Sequence, residues 1–200
     1  MQRALAVGAM LVLLALGACG GGDGDDDTGL PPRGKAAISA PFERELSDLG
    51  LRITRAALVD PDTGLRGPGA THLAVYVEPT GSAYSPDDFA DGVVTVSRVF
   101  LPSAFERWPG LTSFDVCQEP LPGVDDSPEP APKTQIAVSR AEADEFDWAG
   151  ADLEEYLDRA VAVDDEELRI YADSEVATSA RFRDAAPPGG AVSEVGDVSY

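Results

Sequence analysis

The sequence predicts an α+β fold, a two-layer sandwich with helices on one face of a mainly antiparallel, four-stranded sheet. Three observations lead there. Four short runs, LRITRAALV (51–59), HLAVYVE (72–78), TSFDVCQ (112–118) and TQIAVS (134–139), alternate apolar and polar residues with the period of a half-buried strand. Helical signals come before the first pair of runs, between the pairs and after the second, giving the order α-β-β-α-β-β-α. About 145 residues carry this pattern, the size of one domain, placed at 37–183.

The first helix is expected over 41–49, with Ser39 just before it and Gly50 at the C′ position, where left-handed geometry favours glycine. The two strands that follow are joined by a loop, DPDTGLRGPGA. The clearest helix start is YSPDDF. Ser85 suits N-cap, Pro86 N1 and Asp88 N3, and Tyr84 and Phe89 occupy the positions of a hydrophobic staple. This helix should bury Phe89, Val93, Val96, Val99 and Phe100 and stop near Pro102, although GVVTVSRVF also suits a strand by composition. SAFERW reads as a separate helical turn. Beyond the fourth strand, Ser139-Arg140-Ala141-Glu142 has the spacing of a capping box. It opens an acidic helical region whose core face uses Phe146, Trp148, Leu153, Tyr156 and Leu157. LRIYA (168–172) is a candidate last short strand, and residues 184–200 read as a disordered tail.

The N-terminus carries different information. Met1-Gln2-Arg3 is a short positive segment, and residues 4–16 form an apolar run. That run falls short of the roughly 20 apolar residues a spanning helix needs, and it suits a secretory signal peptide over 1–18. Leu16-Gly17-Ala18-Cys19 resembles the lipobox of bacterial lipoproteins. The resemblance implies that Leu16, Gly17 and Ala18 are read by a signal peptidase, that the Cys19 thiol receives a diacylglyceryl group, and that Cys19 becomes the first mature residue. It further implies a protein anchored by lipid to the extracytoplasmic side of the cell membrane. Two or three acyl chains suffice for that, since each buried methylene contributes about 0.8 kcal/mol. Residues 19–36 then read as the lipidated cysteine and an acidic Gly/Asp/Pro tether, too polar to order itself and reaching on the order of 20 Å. GDGDDD fails the calcium-loop pattern, because neither register puts glycine at position 6 and glutamate at position 12.

Charge narrows the function. The whole chain has 15 basic and 36 acidic residues; loss of Arg3 with the signal leaves 14 basic against 36 acidic, a formal charge of −22. Nucleic acid is excluded as a partner by that balance, and anionic headgroups would repel the domain, so the lipid must hold it. Arginine far outnumbers lysine, and Ala, Gly, Asp and Pro are abundant, a bias of high-GC bacteria. The folded part resembles actinobacterial lipoproteins of no assigned family, which implies compartment only. With Cys19 lipidated, Cys117 is the remaining thiol and an internal disulfide is excluded. One histidine and one cysteine cannot assemble the usual zinc sets, and no metal or other cofactor is expected.

Strand alternation leads to one further expectation. The apolar sets Ile53/Ala57/Val59, Leu73/Val75/Val77, Phe114/Val116 and Ile136/Val138 should meet the helices. Period 2 then places Arg52, Thr54, His72, Tyr76, Glu78, Asp115 and Cys117 on the other face. Arg52, His72, Tyr76, Glu78, Asp115 and Cys117 form the candidate binding face. The expected function is non-enzymatic: an envelope lipoprotein whose domain binds a protein partner or another envelope component. Two alternatives are a carrier or sensor of a small apolar or cationic ligand, and a hydrolase using His72 with Cys117 and Asp115 as orienter. The acidic clusters around Asp87, Asp152 and Asp164 read as solvated helix surfaces and caps rather than glycosidase carboxylates.

Overall fold

The computed structural model describes residues 28–67, 69–124, 130–187 and 193–194. The signal segment, Leu16, Gly17, Ala18, Cys19 and most of the tether lie outside the described residues. The chain is α+β. Helices α1 (Lys35–Ser39) and α2 (Glu43–Asp48) precede strands β1 (Leu51–Val59) and β2 (His72–Pro79); α3 (Pro86–Arg107) leads to β3 (Ser113–Gln118) and β4 (Thr134–Ser139). Then come α4 (Arg140–Glu145), α5 (Leu153–Ala162), β5 (Leu168–Ala172), α6 (Ser174–Ala177), α7 (Ala180–Ala185) and the two-residue β6 (Ser193–Glu194).

The sheet differs from expectation in size and direction. It has five main strands with β6 added at the edge, in chain order throughout. β1/β2, β3/β4 and β4/β5 are antiparallel, but β2 and β3 are parallel, from His72 opposite Ser113 to Val77 opposite Gln118. The physical reason is α3. Its 22 residues span about 33 Å, enough to carry the chain back over one face to the starting end of β2.

The predicted start of α3 is made in full. Ser85 accepts from the Asp88 N–H, the Asp88 carboxylate accepts from the Ser85 N–H, and the Tyr84 and Phe89 rings meet edge to face at 4.7 Å. The predicted stop is not. The helix passes through Pro102 and takes in SAFERW, because Phe100, Leu101, Ala104, Phe105 and Trp108 are buried on both sides of the proline and hold the helix together despite the missing N–H. At the chain's start the helix is shorter than expected and a second one is added. The helix expected over 41–49 is the shorter α2, and an unexpected helix, α1, precedes Pro41; Ser39, expected just before a helix, instead ends α1, its hydroxyl bonding back to the Lys35 carbonyl at 2.7 Å. Gly50 follows with φ +70°, as its position requires.

β1 carries a bulge. Ile53 pairs with Val77 and Arg55 with Tyr76, so Thr54 is the extra residue. Beyond it the alternation inverts: Ala56 and Leu58 pack on the helix side, while Ala57 and Val59, expected there, turn to the other face. Ser139 caps α4 as expected, but Glu142 makes half a capping box, because its buried carboxylate is drawn to Arg159 at 2.6 Å. The fold also extends past its expected limits. Leu30 packs on the core, Gly110 N–H bonds Gly29 C=O at 2.8 Å, Ala185 is buried, and β6 joins β5 where a disordered tail is expected.

The core lies between the helices and one sheet face. Phe42, Leu46, Phe100, Trp148, Tyr156, Val176 and Phe182 share one apolar cluster with Leu73, Val75, Phe114, Val116, Ile136, Leu168 and Ile170. Arg140 secures the end of α3, with Nη2 donating to Trp108 C=O at 3.0 Å and Nε to Leu111 C=O at 2.7 Å. No helix among the described residues is long and apolar enough to cross a membrane.

Candidate binding face

The register places all six candidate residues on the face opposite the helices, in ranks that run across the strands. One rank is Arg55, Tyr76, Cys117, Gln135 and Tyr171; the next is Ala57, Ala74, Asp115, Ala137 and Arg169; the last is Val59, His72, Ser113 and Ser139. None of the side chains in these ranks belongs to the helix-packed core cluster. Arg52 and Glu78 sit at the opposite end and pair through Arg52 Nε and Glu78 Oε1 at 2.5 Å.

Two polar networks order the surface. In the first, Arg55 donates to Glu119 Oε1 from Nε at 3.0 Å and from Nη2 at 2.8 Å, while Thr54 donates to Oε2. The same guanidinium stacks on the Tyr76 ring, 3.8 Å from its centre. In the second, Gln135 Nε2 donates to Asp115 Oδ2 at 2.6 Å, and His72 lies between Ser113 and Asp115. Its Nδ1 is 2.8 Å from Ser113 Oγ and its Nε2 is 3.6 Å from Asp115 Oδ2. At the far edge Arg169 lies over the Tyr171 ring, 4.9 Å from its centre.

His72 and Cys117 share the face without meeting: His72 is opposite Ser113, and Cys117 is opposite Tyr76. Burial, reinforced by the Asp115 carboxylate, pushes the Cys117 thiol well above its ordinary pKa, so it stays a protonated and poor nucleophile. Ser113, His72 and Asp115 do follow the order of a proton relay. The backbones of β2 and β3 around them are committed to the sheet ladders, and an oxyanion would need free donors there. The arrangement orients side chains.

Sequence reasoning missed Arg55, Glu119, Ser113, Gln135, Arg169 and Tyr171. Alternation from Asp115 and from Ile136 could have found Ser113 and Gln135. Arg55 was hidden by the bulge, and Glu119 lies just beyond its strand.

On the opposite side, a cleft of about 390 Å³ opens between α3 and the α4–α5 connection. Phe105, Phe146 and Trp148 give it aromatic walls, with Glu106, Asp144 and Asp147 at its margin. Comparison of the chain with family models, with curated proteins and with solved structures finds no match.

Proposed function

We propose that the protein is a cell-envelope lipoprotein, anchored through diacylglyceryl Cys19 on the extracytoplasmic side of the membrane, whose domain binds an envelope partner without enzymatic chemistry. The partner surface is the helix-free sheet face. The observation that carries this reading is the ordering of Arg52, Arg55, Tyr76 and Glu78 by ion pairing, hydrogen bonding and ring stacking on strands. Aromatic and arginine side chains held in that way lose little entropy on binding. The acidic chain supports a lipid anchor over a basic patch as the means of attachment.

Two measurements test the two halves. Cys19→Ser should release the protein from the membrane fraction; retention at the wild-type level would refute the anchor. Cross-linking of the tagged, lipidated protein in its own envelope, followed by mass spectrometry, should capture one stoichiometric partner, lost with Arg52→Glu and Tyr76→Ala. Capture that those substitutions leave unchanged would remove the face from the interaction. A second reading, a carrier of a small cationic or apolar ligand, is favoured by the aromatic and acidic cleft beside α3. It predicts a co-purifying small molecule displaced by Trp148→Ala.

A further inference from the structure

Resting on the small-ligand reading of the cleft between α3 and the α4–α5 connection, we propose that this cleft is a site for a linear aliphatic diamine or polyamine. Such a ligand is a methylene chain with an ammonium group toward each end.

The walls are built in advance. Leu101 and Phe105 stand one turn apart on α3 and share a face. Across from them, Phe146 and Trp148 meet edge to face at 4.7 Å, and Trp148 Nε1 donates to Ala143 C=O at 3.1 Å. Tyr156 O–H donates to the Trp148 carbonyl at 3.0 Å. Side chains held in this way lose little entropy when a ligand enters. The volume of about 390 Å³ is that of a small-molecule site.

The margin carries charge that the fold does not neutralise. Glu106 on α3 and Asp144 and Asp147 across from it are exposed and line the cleft. Arg140 stands one turn from Asp144 on α4, but its Nε and Nη2 bond the Leu111 and Trp108 carbonyls. Among the described residues, Glu142 and Glu145 of α4 pair with Arg159, while Glu106, Asp144 and Asp147 pair with no cation. Three carboxylates against one guanidinium leave the lining at −2, which two ammonium groups balance.

The head group follows from the same residues. A primary ammonium has three N–H donors for carboxylate oxygens, and its methylene stem can lie on Leu101, Phe105 and Phe146. A quaternary ammonium has no donor and needs bare aromatic faces. Here Phe105 already carries the Arg140 guanidinium, 4.8 Å from its ring centre, and Phe146 and Trp148 are packed on each other. An uncharged apolar ligand would gain nothing from the carboxylates.

Calorimetric titration of the full chain carrying Cys19→Ser decides the matter, with 1,5-diaminopentane and spermidine as probes. Both should bind one to one and shift tryptophan emission, since Trp148 lines the cleft. The single-charge analogue 1-aminopentane, choline and 1-pentanol should each bind about fivefold more weakly or less. Glu106→Gln and Asp144→Asn should each weaken the diamine about two- to fivefold, and together about tenfold, with circular dichroism unchanged. Asp165→Asn with Glu166→Gln, in the exposed acidic turn before β5, reads diffuse attraction to an acidic chain and should change nothing. Equal weakening by the two pairs of substitutions would overturn the site. So would equal affinity for 1-aminopentane, or tighter binding of choline. Binding of 1-pentanol without the diamine would also overturn it while leaving the small-ligand reading in place. Binding of none of the probes would remove that reading as well.

Discussion

Gly92 lies in the middle of α3, a position where alanine ordinarily stabilises a helix by about 1 kcal/mol. Here Gly92→Ala is expected to do the opposite. A Cβ built on Gly92 would stand 2.1 Å from Gln118 Oε1 and 2.8 Å from its Cδ, far inside contact distance. The glutamine is not free to yield. It is 2 % exposed, and its Nε2 donates to Phe89 C=O at 3.0 Å and to Thr134 Oγ1. Displacing it loses two hydrogen bonds of about 1 kcal/mol each, and overpacking adds about 1–3 kcal/mol. After the helix gain the net loss is about 2–4 kcal/mol, read by urea denaturation or as a fall in Tm on the order of 10 °C. The control inverts the sign. In a Gln118→Ala background the obstruction is gone, and Gly92→Ala should be neutral or stabilising, a coupling of about 3 kcal/mol. Equal effects in the two backgrounds, or stabilisation of the wild-type chain, would refute the reasoning.

Other outcomes follow from single contacts. Arg140→Ala removes the cation that bonds Trp108 and Leu111 carbonyls at the end of α3 and should cost about 2 kcal/mol in urea denaturation, with Arg140→Lys recovering only part. No loss would mean that those carbonyls find water equally well. Ser85→Ala should cost about 1 kcal/mol at neutral pH. Hydrogen bonds from the Ser85 backbone and then its side chain hold the Asp88 carboxyl below its ordinary pKa. Its contribution is therefore present above the unfolded carboxyl range and lost as pH falls through the folded value, so Asp88→Asn and wild type should converge in acid. For Cys117 the sign is opposite. Its folded pKa is raised, so above about pH 8.5 the unfolded chain loses a proton that the folded chain keeps, and stability falls as pH rises. In the Cys19→Ser background, Cys117→Ala should lack that component between about pH 8 and 10; parallel curves would contradict it.

Local chemistry was legible wherever neighbours in sequence decide the outcome. The bounds of β1, β4 and β5, the Ser85–Asp88 capping box and the Tyr84–Phe89 staple all stand where the residues placed them. So do the aromatic core of α5, where Tyr156 O–H donates to Trp148 C=O at 3.0 Å, and the facing of Asp115 and Cys117 away from the helices. Each depends on period, cap or turn within a few residues. The acidic clusters behaved as caps and pairs: Asp152 and Glu155 close a capping box, and Asp91 pairs with Arg181.

By itself, then, the sequence determined the α+β class, the strand runs, the capped start of α3 and the orientation of most of the candidate face, because alternation and capping are short-range. Tertiary structure decided what depends on long-range pairing. The parallel join of β2 to β3 follows from where α3 packs, and the passage of that helix through Pro102 follows from the burial of Phe100, Ala104 and Phe105. Thr54 becomes a bulge only against β2, and that single residue turns Arg55 onto the face beside Tyr76 and Glu119. His72 bonds Ser113, and not Cys117, because strand register sets which side chains become neighbours, and register is fixed by contacts no local pattern contains.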